Sequence, residues 1–177
     1  LLSKEQGFSS AATQWNALDS YWSWNAKIAD LDNDGWQDIY IGNGFLFGGL
    51  GRHLHSNVFL HNQQGSGFKR AEKTFGLVDY LNTPSFVYLD FDQDGDVDIV
   101  PAQGNSLSNQ GDGQFSLVDW NHHSTIENYN SRVADLNNDN IPDLVIAYNF
   151  GGPSDFFGYQ LGSGSQASFR FENINTL

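Results

Sequence analysis

Short apolar runs separated by acidic or glycine-rich turns recur along the chain. An aspartate-rich segment leads into a strand-like run three times: KIADLDNDGWQDIYI at 27–41, VYLDFDQDGDVDIVP at 87–101 and RVADLNNDNIPDLVI at 132–146. A second pattern follows each: LHNQQGSGF at 60–68, LSNQGDGQF at 107–115 and, more loosely, LGSGSQASF at 161–169. A short apolar stretch, a Gly-rich turn and a strand opening on Phe form a hairpin signature. Two hairpins per repeat predict four strands: 24–31, 38–41, 57–61 and 68–75; then 86–91, 98–100, 106–108 and 115–120; then 131–136, 143–148, 156–161 and 169–173. Pro101 stands where the other repeats have Ile41 and Ile146. Lacking an N–H for the ladder, it predicts a bulge or a strand end.

The acidic segments are spaced by 60 and then 45 residues. Four-stranded units of that size predict an all-β fold, a partial β-propeller of about three four-stranded blades. The repeats run approximately over 21–82, 83–127 and 128–177 of a single propeller segment, 1–177. Residues 7–13 (GFSSAAT) resemble 67–73 (GFKRAEK), so about 1–20 are expected to supply the outer strand of a preceding blade. Three blades do not close a ring that typically has four to eight. The expectation is therefore a piece of a longer propeller, or a chain that completes its ring through other subunits. A start without Met or a signal-peptide pattern agrees with a processed or excised chain.

Composition sharpens this reading. Nineteen Gly and an aromatic content of 15% favour strands and turns over helices. Eight basic residues against 21 acidic ones, a net charge of −13, argue against binding a nucleic-acid backbone. The absence of Cys removes disulfides and thiolate metal sites. No apolar run approaches the roughly 18 residues of a membrane span.

The acidic segments share Asp-x-[Asp/Asn]-x-Asp-[Gly/Asn]-x-x-Asp. Side-chain oxygens stand at loop positions 1, 3, 5 and 9: Asp30, Asp32, Asp34 and Asp38; Asp90, Asp92, Asp94 and Asp98; Asp135, Asn137, Asp139 and Asp143. Ca²⁺ takes six to eight such oxygens, backbone carbonyls and water included. Gly35, Gly95 and Asn140 at position 6 suit the positive φ that curls the loop. The position-7 carbonyl of Trp36, Asp96 and Ile141 is then the expected backbone ligand. An EF-hand also opens Asp-x-Asp-x-Asp-Gly, but it needs Glu at position 12 between helices. Here position 12 is Ile41, Pro101 or Ile146, in strand-like sequence, so an EF-hand is rejected.

Asp and Gly favour turns without binding anything, yet three matched loops gather 12 of the 21 acidic residues. Without a cation such carboxylates repel by roughly 1 to 4 kcal/mol per pair at about 4 Å. Oxygen-only donors select Ca²⁺ over softer metals, about one ion per repeat. Three ions would take the net charge from −13 to −7.

The loops, together with the Asn-Gln-Gly hairpins, resemble the FG-GAP/VCBS repeats, the blades of integrin-α-like propellers. The resemblance spans nearly the whole chain. It implies Ca²⁺ held between the first two strands of each blade, and protein or glycan partners approaching the propeller faces.

Other motifs carry less. His53-x-His55, with His61 nearby, has no carboxylate or third ligand placed with it in sequence, and reads as surface-loop histidines; the neighbours His122 and His123 point to opposite faces. The Gly-rich run at 42–49 lacks dinucleotide-fingerprint spacing. No sequence pattern nominates a catalytic nucleophile. Trp15, Trp22, Trp24, Trp36 and Trp120 offer flat platforms for sugars or peptides, but such residues usually pack between blades.

The reading is a calcium-binding extracellular module for adhesion, ligand binding or assembly, non-catalytic. Sites of about 10⁻⁴ to 10⁻³ M fill only where calcium is abundant. The alternatives are part of a polysaccharide-degrading enzyme on a calcium-loaded propeller, or a structural subunit of an oligomeric or filamentous assembly. A pocket joining Arg52, His53 or His55 to an unpaired carboxylate would favour the enzyme. As chelator is titrated, loop three, with three carboxylates, is expected to lose Ca²⁺ first and loop two, with five, to hold longest; site-resolved calorimetry finding loop three tightest would contradict that order.

Overall fold

A computed structural model describes residues 2–4, 7–18, 20–44, 55–102, 105–118, 128–136, 138–140, 142–148, 157–160 and 172–173. Every regular element among them is a β-strand, and no helix among them is long and apolar enough to cross a membrane. The first sheet runs β3 (Ser23–Ala29), β4 (Asp38–Asn43), β5 (Val58–Asn62) and β6 (Phe68–Arg70). The second runs β7 (Phe86–Leu89), β8 (Asp98–Pro101), β9 (Ser106–Asn109) and β10 (Phe115–Val118). The third runs β11 (Asn128–Ala134), β12 (Asp143–Tyr148), β13 (Phe157–Gln160) and β14 (Glu172–Asn173). Each is an open antiparallel sheet with its strands in chain order. A two-stranded sheet of β1 (Leu2–Lys4) and β2 (Gly7–Ser9) precedes them.

All twelve predicted strands are present, with shifted ends. The strand expected over 68–75 stops at Arg70, because the chain turns: the amides of Thr74 and Phe75 donate to the Ala71 carbonyl at 2.9 and 3.1 Å. Pro101 ends β8, as its missing N–H requires. β3 and β11 each bulge one residue before the straight ladder, between Ser23 and Asn25 and between Asn128 and Asn130. The corresponding place in the second sheet is Pro84, and β7 begins only at Phe86.

Strand pleating sends alternate residues to opposite faces, and both faces of the inner strands are apolar. Tyr40, opposite Phe59, packs with Leu31 and Leu77 of the first sheet's segment and with Phe86, Ile99 and Leu107 of the second in one buried cluster. The other face of the second sheet, Val87, Leu89 and Val100, packs on Leu144 of the third. The first sheet's remaining face, Ile41, Val58 and Leu60, is covered in part by Ala17. The sheets therefore stack face to face in chain order. Tyr40 meets the Phe86 ring edge-on at 5.1 Å, and fully burying such a side chain contributes about 1.5–3 kcal/mol. Polar ties cross the same seams: the Tyr88 hydroxyl donates to the Lys27 carbonyl at 3.1 Å, and the Ser131 amide donates to Ser85 Oγ at 2.9 Å.

The N-terminal segment repeats a local geometry. After β2, the Trp15 amide donates to the Ala11 carbonyl at 2.9 Å and that of Ala17 to Ala12 at 2.8 Å. After β6, Phe75 donates to Ala71 at 3.1 Å and Leu77 to Glu72 at 2.8 Å. Each turn then seats on the fourth strand of the next sheet. Phe68 N–H donates to the Trp15 carbonyl at 3.0 Å, and Phe115 N–H to the Phe75 carbonyl at 2.8 Å. Gly76, at φ 73°, makes the second contact sterically feasible, since a Cβ there would overlap the Phe115 carbonyl oxygen.

Phe59 is fully buried at the centre of the seam between the first two sheets. Phe59→Ala is expected to cost about 3–5 kcal/mol in urea unfolding; a loss below about 1 kcal/mol would remove it from a shared core.

Candidate metal centre

Each acidic loop joins the first two strands of a sheet, and one hydrogen-bond scheme recurs in all three. The position-1 carboxylate takes the amides of positions 5 and 6 on its two oxygens. Asp30 accepts from Asp34 and Gly35 at 3.1 and 2.9 Å. Asp90 accepts from Asp94 and Gly95 at 3.1 Å each, and Asp135 from Asp139 and Asn140 at 3.2 and 2.9 Å. The position-9 carboxylate reaches back to the amide of position 2: Asp38 to Leu31 at 3.2 Å, Asp98 to Phe91 at 2.9 Å and Asp143 to Leu136 at 2.7 Å. Its other oxygen reaches the third strand in two sheets, where Asn62 N–H donates to Asp38 and Asn109 N–H to Asp98, both at 2.8 Å. Local side-chain-to-backbone bonds of this kind replace ladder bonds and curl the chain.

Left-handed backbone occurs at position 6, with Gly35, Gly95 and Asn140 at φ 88°, 98° and 65°. It occurs equally at position 4, with Asn33, Gln93 and Asn138 at 58°, 61° and 59°. The signal for the second set is Asn in two of the three loops, a residue tolerant of that region.

Asp30, Asp32 and Asp38 bring carboxylate oxygens within 4.8 Å of one another, as do Asp90, Asp92 and Asp98. Oxygens bound to one Ca²⁺ are separated by no more than twice the Ca–O distance, about 4.6–5.2 Å, so the donor sets of loops one and two fit that ion. Asp34 groups with Asp32 and His61 instead. At position 7, the Trp36 amide donates to Asp34 Oδ1 at 2.8 Å and the Asp96 amide to Asp94 Oδ1 at 2.9 Å. The Asp96 side chain turns to the first sheet, accepting from Asn33 Nδ2 at 2.7 Å. Loop two's fifth charge therefore acts through its field, outside the converging set, and loops one and two are more evenly matched than charge alone implies. In loop three Asp135, Asp139 and Asp143 keep the shared scheme, while Asn137 and Ile141 lie outside the described residues.

Burial shapes the electrostatics. Asp38 and Asp98 are fully buried, and desolvation pushes their carboxyls up to about 6 and about 7, against the lowering effect of the donated amides. Asp92 is raised too, by burial and then by Asp94.

His61 corrects the sequence reading. Its Nε2 lies 2.8 Å from Asp32 Oδ2 and 3.8 Å from Asp34 Oδ2, so a carboxylate pair is placed with it by the fold. The Asp32 contact is close but lacks the alignment of a hydrogen bond, and Nε2 is shielded without a hydrogen-bond partner. His53 and the 122–123 pair lie outside the described residues, as do Arg52 and Trp120. Of the other tryptophans, Trp22, Trp24 and Trp36 are exposed, and Trp15 meets the Phe68 ring at 5.9 Å.

A separate open cavity of about 500 Å³ is lined by Tyr21, His55, Arg70, Glu72, Lys73 and Tyr80, among others. His55 stacks on Tyr21 at 4.1 Å. The carboxylate there is already engaged: Arg70 Nε donates to Glu72 Oε1 at 2.8 Å, and Arg70 Nη1 to the Tyr21 hydroxyl at 3.1 Å.

Comparison with protein-family models gives no match, and comparison with curated protein sequences gives none either.

Asp38 and Asp98 bind protons more tightly folded than unfolded, so their contribution favours folding below about pH 6 to 7 and is lost as pH rises through that window. In chelator, the melting temperature is expected to be higher at pH 5 than at pH 7.5; the opposite order would contradict the burial argument.

Proposed function

We propose that the chain is a segment of an FG-GAP/VCBS-type propeller that binds about three Ca²⁺, one per four-stranded blade, and serves outside the cell as a non-catalytic module for adhesion, ligand binding or assembly. The observation that carries this reading is the loop scheme common to three sheets, with oxygens converging at ligand spacing in two of them. The cation would offset the cost of burying the position-9 carboxylates and hold loop, second strand and third strand together. The N-terminal turn, bonded like the one after β6 and seated on the first sheet in the same way, supports its assignment as the outer part of a preceding blade. Further blades would come from the same longer chain or from other subunits. Protein or glycan ligands would meet the assembled faces.

The enzyme reading has one observation in its favour, the cavity that joins His55 to Glu72. Arg70 already holds that carboxylate, which leaves it poorly placed as a free base, so the non-catalytic reading is preferred. Turnover of uronic-acid polysaccharides by the chain would reverse the preference.

At 10 mM Ca²⁺, sites of about 10⁻⁴ to 10⁻³ M would each stabilise the fold by about 1.4–2.7 kcal/mol. Calorimetry should find about three sites in the wild type. Asp98→Asn should lower that count to about two, because it removes one of the converging carboxylates of loop two. A wild-type chain with neither heat of binding nor a calcium-dependent melting shift would sink the proposal.

A further inference from the structure

We infer that the first loop is also a zinc-class site, in which His61 Nε2 joins the carboxylates of Asp32 and Asp34. This rests on the loop's being a metal site at all. The three side chains offer one nitrogen and two oxygens within 4.8 Å of one another. His61 comes from β5, the third element the loop reaches, and its ring packs against the contacting pair Phe59 and Phe75, with centroids at 6.1 and 5.0 Å. Fixing the ring from outside the loop lets Nε2 face the carboxylates without mobility of its own.

The second sheet supplies an internal comparison. Ser108 stands where His61 does, in Leu-Ser-Asn against Leu-His-Asn, and its hydroxyl donates to Asp92 Oδ2 at 3.2 Å. Loop two is thus closed by an oxygen group that satisfies its aspartate. Loop one presents instead a shielded imidazole nitrogen, 2.8 Å from Asp32 Oδ2 and 3.8 Å from Asp34 Oδ2.

Imidazole suits Zn²⁺ and its neighbours, whereas a carboxylate-only set suits Ca²⁺. Two carboxylates and one imidazole make a three-ligand zinc set, with the fourth position left for water. Ligation needs the proton on Nδ1. Gln63 Nε2 lies 2.9 Å from Nδ1, and turning that amide over would place its oxygen to accept Nδ1–H. Gln63 is then the outer partner that fixes the tautomer, as such partners do around metal-bound histidines. The two loops differ in consequence: loop one takes both hard and borderline cations, and loop two takes hard ones.

The test is calorimetric titration of the full chain with Zn²⁺ alone and with Ca²⁺ alone, for wild type, His61→Ser and His61→Gln. Serine copies the second loop; glutamine keeps bulk against the two phenylalanine rings, so the test survives if the serine variant folds poorly. Both variants are expected to lose tenfold or more in affinity at the tightest Zn²⁺ site while Ca²⁺ affinity changes less than threefold. The long-range nitrogen NMR spectrum should show Zn²⁺ shifting His61 Nε2 ahead of the other histidines. Unchanged Zn²⁺ affinity in the glutamine variant, or a zinc-induced shift first at another histidine, overturns the inference while calcium binding stands. Zinc binding that depends on His61 in a chain that takes no Ca²⁺ supports the inference and fails the calcium reading instead.

Discussion

The position-9 carboxylate is the interaction on which the rest depends. Asp38 and Asp98 each accept one amide from their own loop and one from the third strand, and both are sealed from water. Each therefore fixes three things together: the curl of the loop, the start of the second strand, and the register of the third. Charge in that position is costly by itself, which is why burial raises both carboxyls. An arrangement that uses a destabilising charge as its central tie makes physical sense where an opposite charge is supplied.

From that tie the architecture builds outward. Loop position 2 is held from its own sheet by Asp38 and from the next sheet by Asn109, whose side chain donates to the Leu31 carbonyl at 2.9 Å. The same asparagine offers its backbone amide to Asp98, so one residue links two neighbouring loops. Asn33 and Asp96 add a second link at the loop surface. The apolar seam below, from Tyr40 and Phe59 to Phe86 and Ile99, supplies the bulk of the cohesion, and the polar links set its alignment.

The strands were legible because their chemistry is local. An acidic turn, a Gly-rich turn and a Phe-led strand each carry their own signal, and Pro101 marks an end by what it lacks. The residues that closed the loops from afar were not legible. Asn62 and Asn109 looked like turn residues of a hairpin, and their backbone amides, which bear the bonds to Asp38 and Asp98, have no side-chain signature at all. Nothing acidic lies beside His61 in sequence; a gap of 29 residues to Asp32 vanishes when β5 pairs with β4. Asp96 supplies the position-7 carbonyl in the loop pattern, and nothing in the sequence signals that its side chain faces Asn33 of the neighbouring sheet. Long-range pairing decides such cases, and a single sequence does not reveal it.

The contacts between each outer turn and the following sheet have one more implication. Phe68 to Trp15 and Phe115 to Phe75 are joined main chain to main chain, so the junction does not depend on a matched pair of side chains. Where the crossing is tight, a single glycine, Gly76, suffices to keep it open. A gene built of such units can lengthen or shorten by duplication and loss, because a newcomer inherits a joint that fits its neighbours without compensating substitutions.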